Sequence, residues 1–196
     1  MTTAPATPAR SRRQLWLLVL AFFAPLAAAF WMYYGSPWRP SGHTNHGELI
    51  EPARPLPARG LPGDDAGTRR PFVDKWSLVY VGDGRCDADC RQALLVMRQT
   101  HAALGRLQPR VQQVLLATAG CCDRDRLVRE YPGLRLIDAS GPADAALLAA
   151  FPRERLQRGI YIVDPLGNLM MRYDTALDPR GLLQDLKKLL QLSHIG

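Results

Sequence analysis

The chain has 196 residues, of which 47% are hydrophobic and 22% are charged, and its formal net charge is +7. This length favours one domain with appendages over two full domains, and the composition is that of a globular protein. The arginines are spread among acidic residues and form no basic block, which argues against nucleic acid as a partner.

An apolar segment near the N-terminus predicts a transmembrane anchor. Residues 15–34 (LWLLVLAFFAPLAAAFWMYY) carry no charge over about 20 residues, the length that a helix needs to cross a bilayer. The alternative is a cleaved signal peptide, whose apolar region is shorter and ends in small residues such as those at 27–29. Because the apolar run continues beyond these alanines, we favour an uncleaved anchor.

The charges around this segment predict its orientation. Arg10, Arg12 and Arg13 precede it, whereas Arg39 is the single basic residue shortly after it. The positive-inside rule therefore keeps residues 1–14 in the cytoplasm and exports the rest of the chain. In a bacterium this means a single pass through the inner membrane and a C-terminal domain in the periplasm, where free thiols become oxidised unless they are kept reduced.

The exported part divides into a tether and a domain. Residues 35–70 are rich in Pro, Gly and Arg and show little apolar periodicity, which is typical of an extended tether. Residues 71–196 are predicted to form the domain. We expect strands at 76–81, 111–117, 134–137, 160–163 and 169–173, and helices at 87–104, 123–131, 142–151 and 178–192.

The order of these elements predicts the fold class. Strands that alternate with helices require parallel pairing through crossover connections. The turn sequence DPLGN between the last two strands indicates an antiparallel hairpin. The chain is therefore predicted to be an α/β protein with a thioredoxin-like mixed sheet flanked by helices.

Cys86 and Cys90 are the first candidate site. Cys86 follows the first predicted strand, and Cys90 lies about one turn into the next helix. A helix N-terminus stabilises a thiolate, the species that carries out disulfide exchange and also ligates metals. A structural disulfide is the alternative, but a bridge across three residues closes too small a loop to stabilise the fold much. We favour a working dithiol or a metal site.

Cys121 and Cys122 follow the second predicted strand. If the first two strands are parallel neighbours, their carboxyl ends lie at the same edge of the sheet and all four cysteines lie near one another. One of the pair could simply be buried, because Cys packs as a small apolar residue. Otherwise the pair could supply a resolving thiol or a further sulfur ligand, and soft thiolates suit Cu(I).

These features together resemble the Sco/SenC family: an N-terminal anchor, a Pro-rich tether, Cys-x-x-x-Cys after the first strand and the hairpin IYIVDPLGN. The stretch RPSGHTNHGELIEP is similar to short Sco-related proteins that accompany oxidase assembly factors. The resemblance implies a membrane-anchored copper chaperone or thiol–disulfide reductase that matures the CuA site of cytochrome c oxidase. Its partner would be subunit II of the oxidase or another assembly factor, and Cys86 and Cys90 would be the reactive and copper-binding residues.

One departure from the Sco pattern concerns the copper ligands. The family completes its site with a His about five residues ahead of the position of Tyr161, where this chain has Leu156. This favours redox chemistry over copper carriage. His43 and His46 in the tether could bind a metal or fold back towards the cysteines, although a polar loop His is usually just solvated. A non-catalytic interaction protein with the same fold is the alternative function.

Overall fold

The computed structural model describes residues 8–35, 45–57, 71–119, 124–152, 159–174 and 179–195. The chain separates into two compact units, residues 1–43 and residues 44–196. In the first unit, helix α1 spans Pro8–Gly35 and includes Pro25. Its portion Arg12–Gly35 contains an 18-residue window with a mean hydropathy of 2.2 and is long and apolar enough to cross a membrane.

The second unit is built on a six-stranded mixed sheet with the order β1-β6-β5-β2-β3-β4. The strands are β1 (Glu48–Pro55), β2 (Trp76–Gly82), β3 (Val111–Ala117), β4 (Leu134–Asp138), β5 (Gly159–Val163) and β6 (Asn168–Asp174). The helices are α2 (Ala88–Ala103), α3 (Arg124–Glu130), α4 (Ala145–Ala150) and α5 (Pro179–Leu192). β2, β3 and β4 are parallel, whereas β5 and β6 form the antiparallel hairpin.

Alternate residues of the central strands face two separate apolar clusters, as the twofold period of a strand requires. On β2, Leu78 and Tyr80 join the cluster that α2, α3 and α5 cover, whereas Val79 and Val81 join the cluster that α4 covers. Every residue of β2 is buried, which is typical of a central strand. The predicted mixed sheet with helices on both faces is confirmed.

The structure differs from the tether expectation at residues 45–57. Within this range β1 pairs antiparallel with β6 and forms one edge of the sheet. The strand contains Pro52 and Pro55, which an edge strand tolerates because one of its sides donates no hydrogen bonds to a neighbouring strand. Nearly all of its side chains are exposed, so its sequence carries no apolar alternation that would have revealed it.

A buried carboxylate joins the start of β1 to α5. Asp185 is 5% exposed and accepts hydrogen bonds from the backbone N–H of His46 (2.6 Å), that of Gly47 (3.1 Å) and the hydroxyl of Tyr173 (2.5 Å). His46 Nδ1 lies 3.2 Å from its other oxygen. A Cβ on Gly181 would lie 2.7 Å from the Cβ of His46, so this close approach requires glycine on α5.

These bonds determine the ionisation of Asp185. Its burial acts to raise the carboxyl pKa, but the hydrogen bonds from Tyr173, Gly47 and His46 outweigh burial and lower the pKa below its ordinary value. The ionised form is therefore the one that holds residues 46–47 against α5.

We expect Asp185→Asn to lower the free energy of unfolding at neutral pH by about 1–3 kcal/mol, because it leaves buried donors poorly paired. Since the folded-state pKa is lowered, the carboxylate contributes stability above the ordinary pKa of 3.8. That stability is lost as the pH falls from this value through the folded-state pKa. The difference between the two proteins should shrink below pH 3.8. Denaturant unfolding of the full chain in detergent at several pH values measures it.

Asp74→Asn is the matched control, because Asp74 is exposed and its φ of +74° is a conformation that Asn adopts readily. This control should unfold like the wild type. Equal stability of Asp185→Asn and Asp74→Asn at neutral pH would show that Asp185 does not hold β1 in place.

Candidate functional site

The site lies at the edge of the sheet where the parallel strands end. β2 and β3 run parallel in register from Trp76↔Val111 to Gly82↔Ala117, as the sequence predicted. Gly82 O accepts hydrogen bonds from the backbone N–H of Thr118 (2.8 Å) and from its hydroxyl (3.1 Å). The segments that leave the two strands are therefore tied together at this edge. Reactive groups of open α/β sheets collect at such edges.

Cys86 and Cys90 form a disulfide at this edge. Their Cα atoms are 4.9 Å apart, and the residues are 8% and 4% exposed. Cys86 lies in the loop between β2 and α2, and Cys90 is the third residue of α2. Cys86 has a φ of +49°, a left-handed conformation that is uncommon outside glycine and that clusters at functional sites. The bridge is thus nearly covered, and Cys86 is its more accessible half.

Two charged side chains hold the backbone on either side of the bridge. Asp87 is the N-cap of α2, and its carboxylate accepts a hydrogen bond from the N–H of Cys90 (3.0 Å). Arg91 donates from Nη1 to the carbonyl oxygen of Cys86 (3.3 Å). Asp87 therefore holds the backbone of Cys90, and Arg91 holds the backbone of Cys86.

Tyr80 reports the electrostatic environment on the β2 side of the bridge. It is 2% exposed and belongs to the same apolar cluster as both cysteines. Burial, together with the carboxylates of Asp87, Asp89 and Asp83, raises the pKa of its hydroxyl to about 12. The charged groups that shift the pKa of Tyr80 are therefore the carboxylates of the β2–α2 loop and the start of α2.

The structure places the other predicted site residues as follows. Cys121 and Cys122, together with Leu156 and His43, lie outside the described residues. Thr118 and Ala119, which shortly precede the two cysteines in the chain, lie at the same edge as Cys86. Whether all four sulfurs meet stays a prediction.

His46 does fold back onto the domain, but it does not join the cysteines. It precedes β1 at the end of the sheet where β2 and β3 finish, but β1 lies three strands away from β2. At about 4.8 Å per strand this is a lateral distance of about 14 Å. Its ring contacts Asp185, as described above. His46 is therefore no ligand for a metal held by Cys86 and Cys90 in this arrangement.

Within the described part of the chain, no group of three or more His, Cys, Asp and Glu side chains is arranged to hold a metal ion. Cys86 and Cys90 offer two sulfurs, and these become thiolate ligands only after the bridge is reduced. Two thiolates suit Cu(I), a soft ion, whereas the described residues supply no cluster of imidazoles or carboxylates with them for a harder ion. The donor set therefore fits Cu(I) only in the reduced state.

Comparison with known proteins identifies the family. Residues 76–193 match the model of a family described as "Transmembrane-like, thioredoxin-like, C-terminal domain". The chain belongs to this family. No curated protein sequence matches the chain.

Solved structures share the fold of this transmembrane-like, thioredoxin-like domain. The apo Sco1 protein of Thermus thermophilus is similar with a TM-score of 0.60 and 21% identity, over 76% of this chain and 99% of that one. Copper-bound yeast Sco1 gives 0.53 and 15%, over 78% and 96%. A DsbF homologue from Corynebacterium diphtheriae gives 0.53 and 14%, over 77% and 96%. The predicted thioredoxin-like fold is confirmed, and so is the likeness to Sco proteins at the level of the fold.

Two residues of the site were not assigned these roles from the sequence. Asp87 was included in the predicted helix, although an Asp directly before a helix is a common N-cap. The contact of Arg91 with the carbonyl oxygen of Cys86 was not predicted, and Cys86 has a left-handed backbone that nothing in the sequence indicated. The capping role of Asp87 could have been recognised from the sequence, whereas the contact of Arg91 could not.

We expect Asp87→Ala to lower the free energy of unfolding by about 1 kcal/mol, because it leaves the N–H of Cys90 without its cap. Asp87→Ser should lose only a few tenths of this, because a Ser hydroxyl also accepts the bond. Denaturant unfolding of the oxidised full chain in detergent distinguishes the two. If Ala and Ser behave alike, Asp87 acts through its charge and not as a cap.

Proposed function

We propose that this protein is a membrane-anchored thiol–disulfide exchange protein and that Cys86 and Cys90 are its reactive pair. The observation that carries the proposal is the disulfide between them at the start of α2, beyond the carboxyl end of β2. A bridge across so few residues adds little to stability, so its position at this edge favours a reaction over a structural role.

The geometry suggests how the two sulfurs share the reaction. In the reduced protein the thiolate of Cys86, the more accessible of the two, attacks a disulfide of the substrate protein. A mixed disulfide forms, and one substrate sulfur leaves as a thiolate. The thiolate of Cys90 then attacks the sulfur of Cys86, which releases the second substrate thiol and restores the Cys86–Cys90 bridge. Two electrons pass to the substrate, and a dithiol reductant must return the bridge to the reduced state.

The resemblance to the Sco/SenC family suggests where this exchange takes place. We propose that α1 anchors the chain in the bacterial inner membrane and that the domain lies in the periplasm, as the arginines that precede the apolar stretch 15–34 of this helix favour. The substrate would be the pair of cysteines that form the CuA site of cytochrome c oxidase subunit II, or an assembly factor that acts on them. Because Cu(I) binds only reduced cysteines, such a reductase is required before the copper site can form.

We also propose that the pair Cys86 and Cys90 binds copper. The reduced sulfurs of Cys86 and Cys90 would carry Cu(I), and Cys121 and Cys122 would contribute only if they reach this edge. Sco1 structures with copper bound share the fold, which supports this extension. The Leu at position 156, in place of the family's His, makes redox chemistry the primary proposal.

The reaction predicts different outcomes for the two cysteines. With a protein disulfide as substrate, the reduced full chain in detergent should carry out exchange, and Cys86→Ser should slow it by on the order of 100-fold or more, because the attacking sulfur is gone. Cys90→Ser should instead accumulate a mixed disulfide through Cys86, because the resolving sulfur is gone. Gel shift under non-reducing conditions and mass spectrometry of the trapped species measure both effects.

The double variant Cys86→Ser, Cys90→Ser is the control, and it should neither exchange nor trap the substrate. Exchange that persists in this variant would contradict the assignment of the pair. If oxidase assembly in cells survived the double replacement, the protein would act as a non-catalytic interaction protein that retains the fold.

A further inference from the structure

Two arginines extend from the disulfide along the exposed side of α2. Arg91 and Arg98 are both exposed and lie seven residues apart, which places them on one face of the helix about 10 Å from each other. Arg91 contacts the carbonyl oxygen of Cys86 and so adjoins the reactive bridge. We call Arg91 and Arg98 the arginine row.

The contacts of the arginine row leave its positive charge without a carboxylate partner among the described residues. Arg91 donates to Cys86 O (3.3 Å), and Arg98 donates to Glu130 O (3.2 Å). The guanidinium carbon of Arg98 lies 5.6 Å from the centre of the Tyr131 ring. Backbone carbonyls and an aromatic ring orient the two guanidinium groups and do not neutralise them.

Both arginines of the row influence the pKa of one side chain, Tyr131. Burial raises the pKa of its hydroxyl and Glu130 adds to the rise, whereas Arg98, Arg91 and Arg126 lower it. Arg126 is paired with the Glu130 carboxylate (3.6 Å), an exposed pair across one turn of α3. Of the three arginines that act on Tyr131, Arg91 and Arg98 are therefore the ones without a carboxylate partner among the described residues.

Most of the other charges at the bridge are of the opposite sign; among the described residues the exception is Arg85, which is exposed and directly precedes Cys86. Asp83, Asp87 and Asp89 are exposed, and their carboxylates act on Tyr80. A substrate chain that lies across the bridge would thus meet arginines along α2 and carboxylates around the β2–α2 loop. Such a polarised surface selects the orientation of its partner through charge complementarity.

We propose that the arginine row binds acidic side chains that flank the reactive disulfide of the substrate protein. This inference rests on the proposed exchange function and names the substrate class of the same site. An extended chain rises about 3.3 Å per residue, so a carboxylate roughly three residues from the substrate cysteine would reach Arg98 when that cysteine contacts Cys86. Exposed charges of this kind act mainly on the rate of association.

The test uses the reduced full chain in detergent and peptides with one cysteine linked to thionitrobenzoate. The peptides carry two Glu or two Lys at three and four residues from the cysteine, in one set on its N-terminal side and in another on its C-terminal side. The coloured thionitrobenzoate that is released reports the exchange rate. Each rate is divided by the rate of the same peptide with 2-mercaptoethanol, a thiol with no other charged group, which removes differences in intrinsic reactivity.

At low salt we expect the Glu peptide to react about five to ten times faster than the Lys peptide in at least one set. The difference should disappear near 1 M salt, where the screening length is about 3 Å. Arg98→Gln should reduce the preference several-fold, whereas Arg98→Lys should keep most of it because it keeps the charge.

Arg54→Gln is the matched control. Arg54 is exposed and donates to a backbone carbonyl, Ala150 O, at the same 3.2 Å as Arg98 does, but it lies on β1 near the opposite end of the sheet. This variant should show the wild-type preference.

Equal normalised rates for Glu and Lys peptides in both sets would overturn this inference and leave the exchange function standing. A preference that Arg98→Gln does not change would also overturn it, because the charge would then act from elsewhere. A failure of all peptides to react would overturn the exchange function itself, and this inference with it.

Discussion

The start of α2 at the carboxyl end of β2 is the constraint on which the site depends. β2 is buried along its whole length between β3 and β5, so the loop that follows it has a fixed origin. Asp87 caps the helix through the N–H of Cys90, and this places Cys90 one turn from Cys86. The bridge, the arginine row and the carboxylates of the loop all take their positions from this junction. A change in any of them is therefore a local change on a rigid scaffold.

Most of the fold could be predicted because its strands and helices carry strong apolar patterns. The predicted strand at 111–117 matches β3, and the predicted helix at 178–192 differs from α5 by one residue. β1 could not be predicted, because an exposed edge strand with two prolines has no apolar face. Its attachment depends on Asp185, which lies 137 residues further along the chain than Glu48, the first residue of β1. Local patterns contain no information about such a contact.

The site could be predicted only in part. The spacing of Cys86 and Cys90 and their position after a buried strand indicated a reactive pair, and the structure brings them together as a disulfide. The contact between Arg91 and Cys86 O was not predicted, and no residue type at position 86 signals the left-handed backbone of Cys86. For His46 the sequence left metal binding open beside plain solvation, and the structure places its ring against the buried carboxylate of Asp185.

A redox titration of the Cys86–Cys90 bridge in the full chain tests the central claim most directly. Reactive dithiols of exchange proteins have reduction potentials of about −120 to −270 mV, whereas structural disulfides typically lie below about −300 mV. Our account predicts a reversible two-electron transition within the first range. The protein is equilibrated in thiol–disulfide buffers of known potential, its free cysteines are alkylated, and mass spectrometry measures the reduced fraction. A bridge that stays oxidised until the buffer potential is below about −300 mV would show that it is structural, and it would contradict the account.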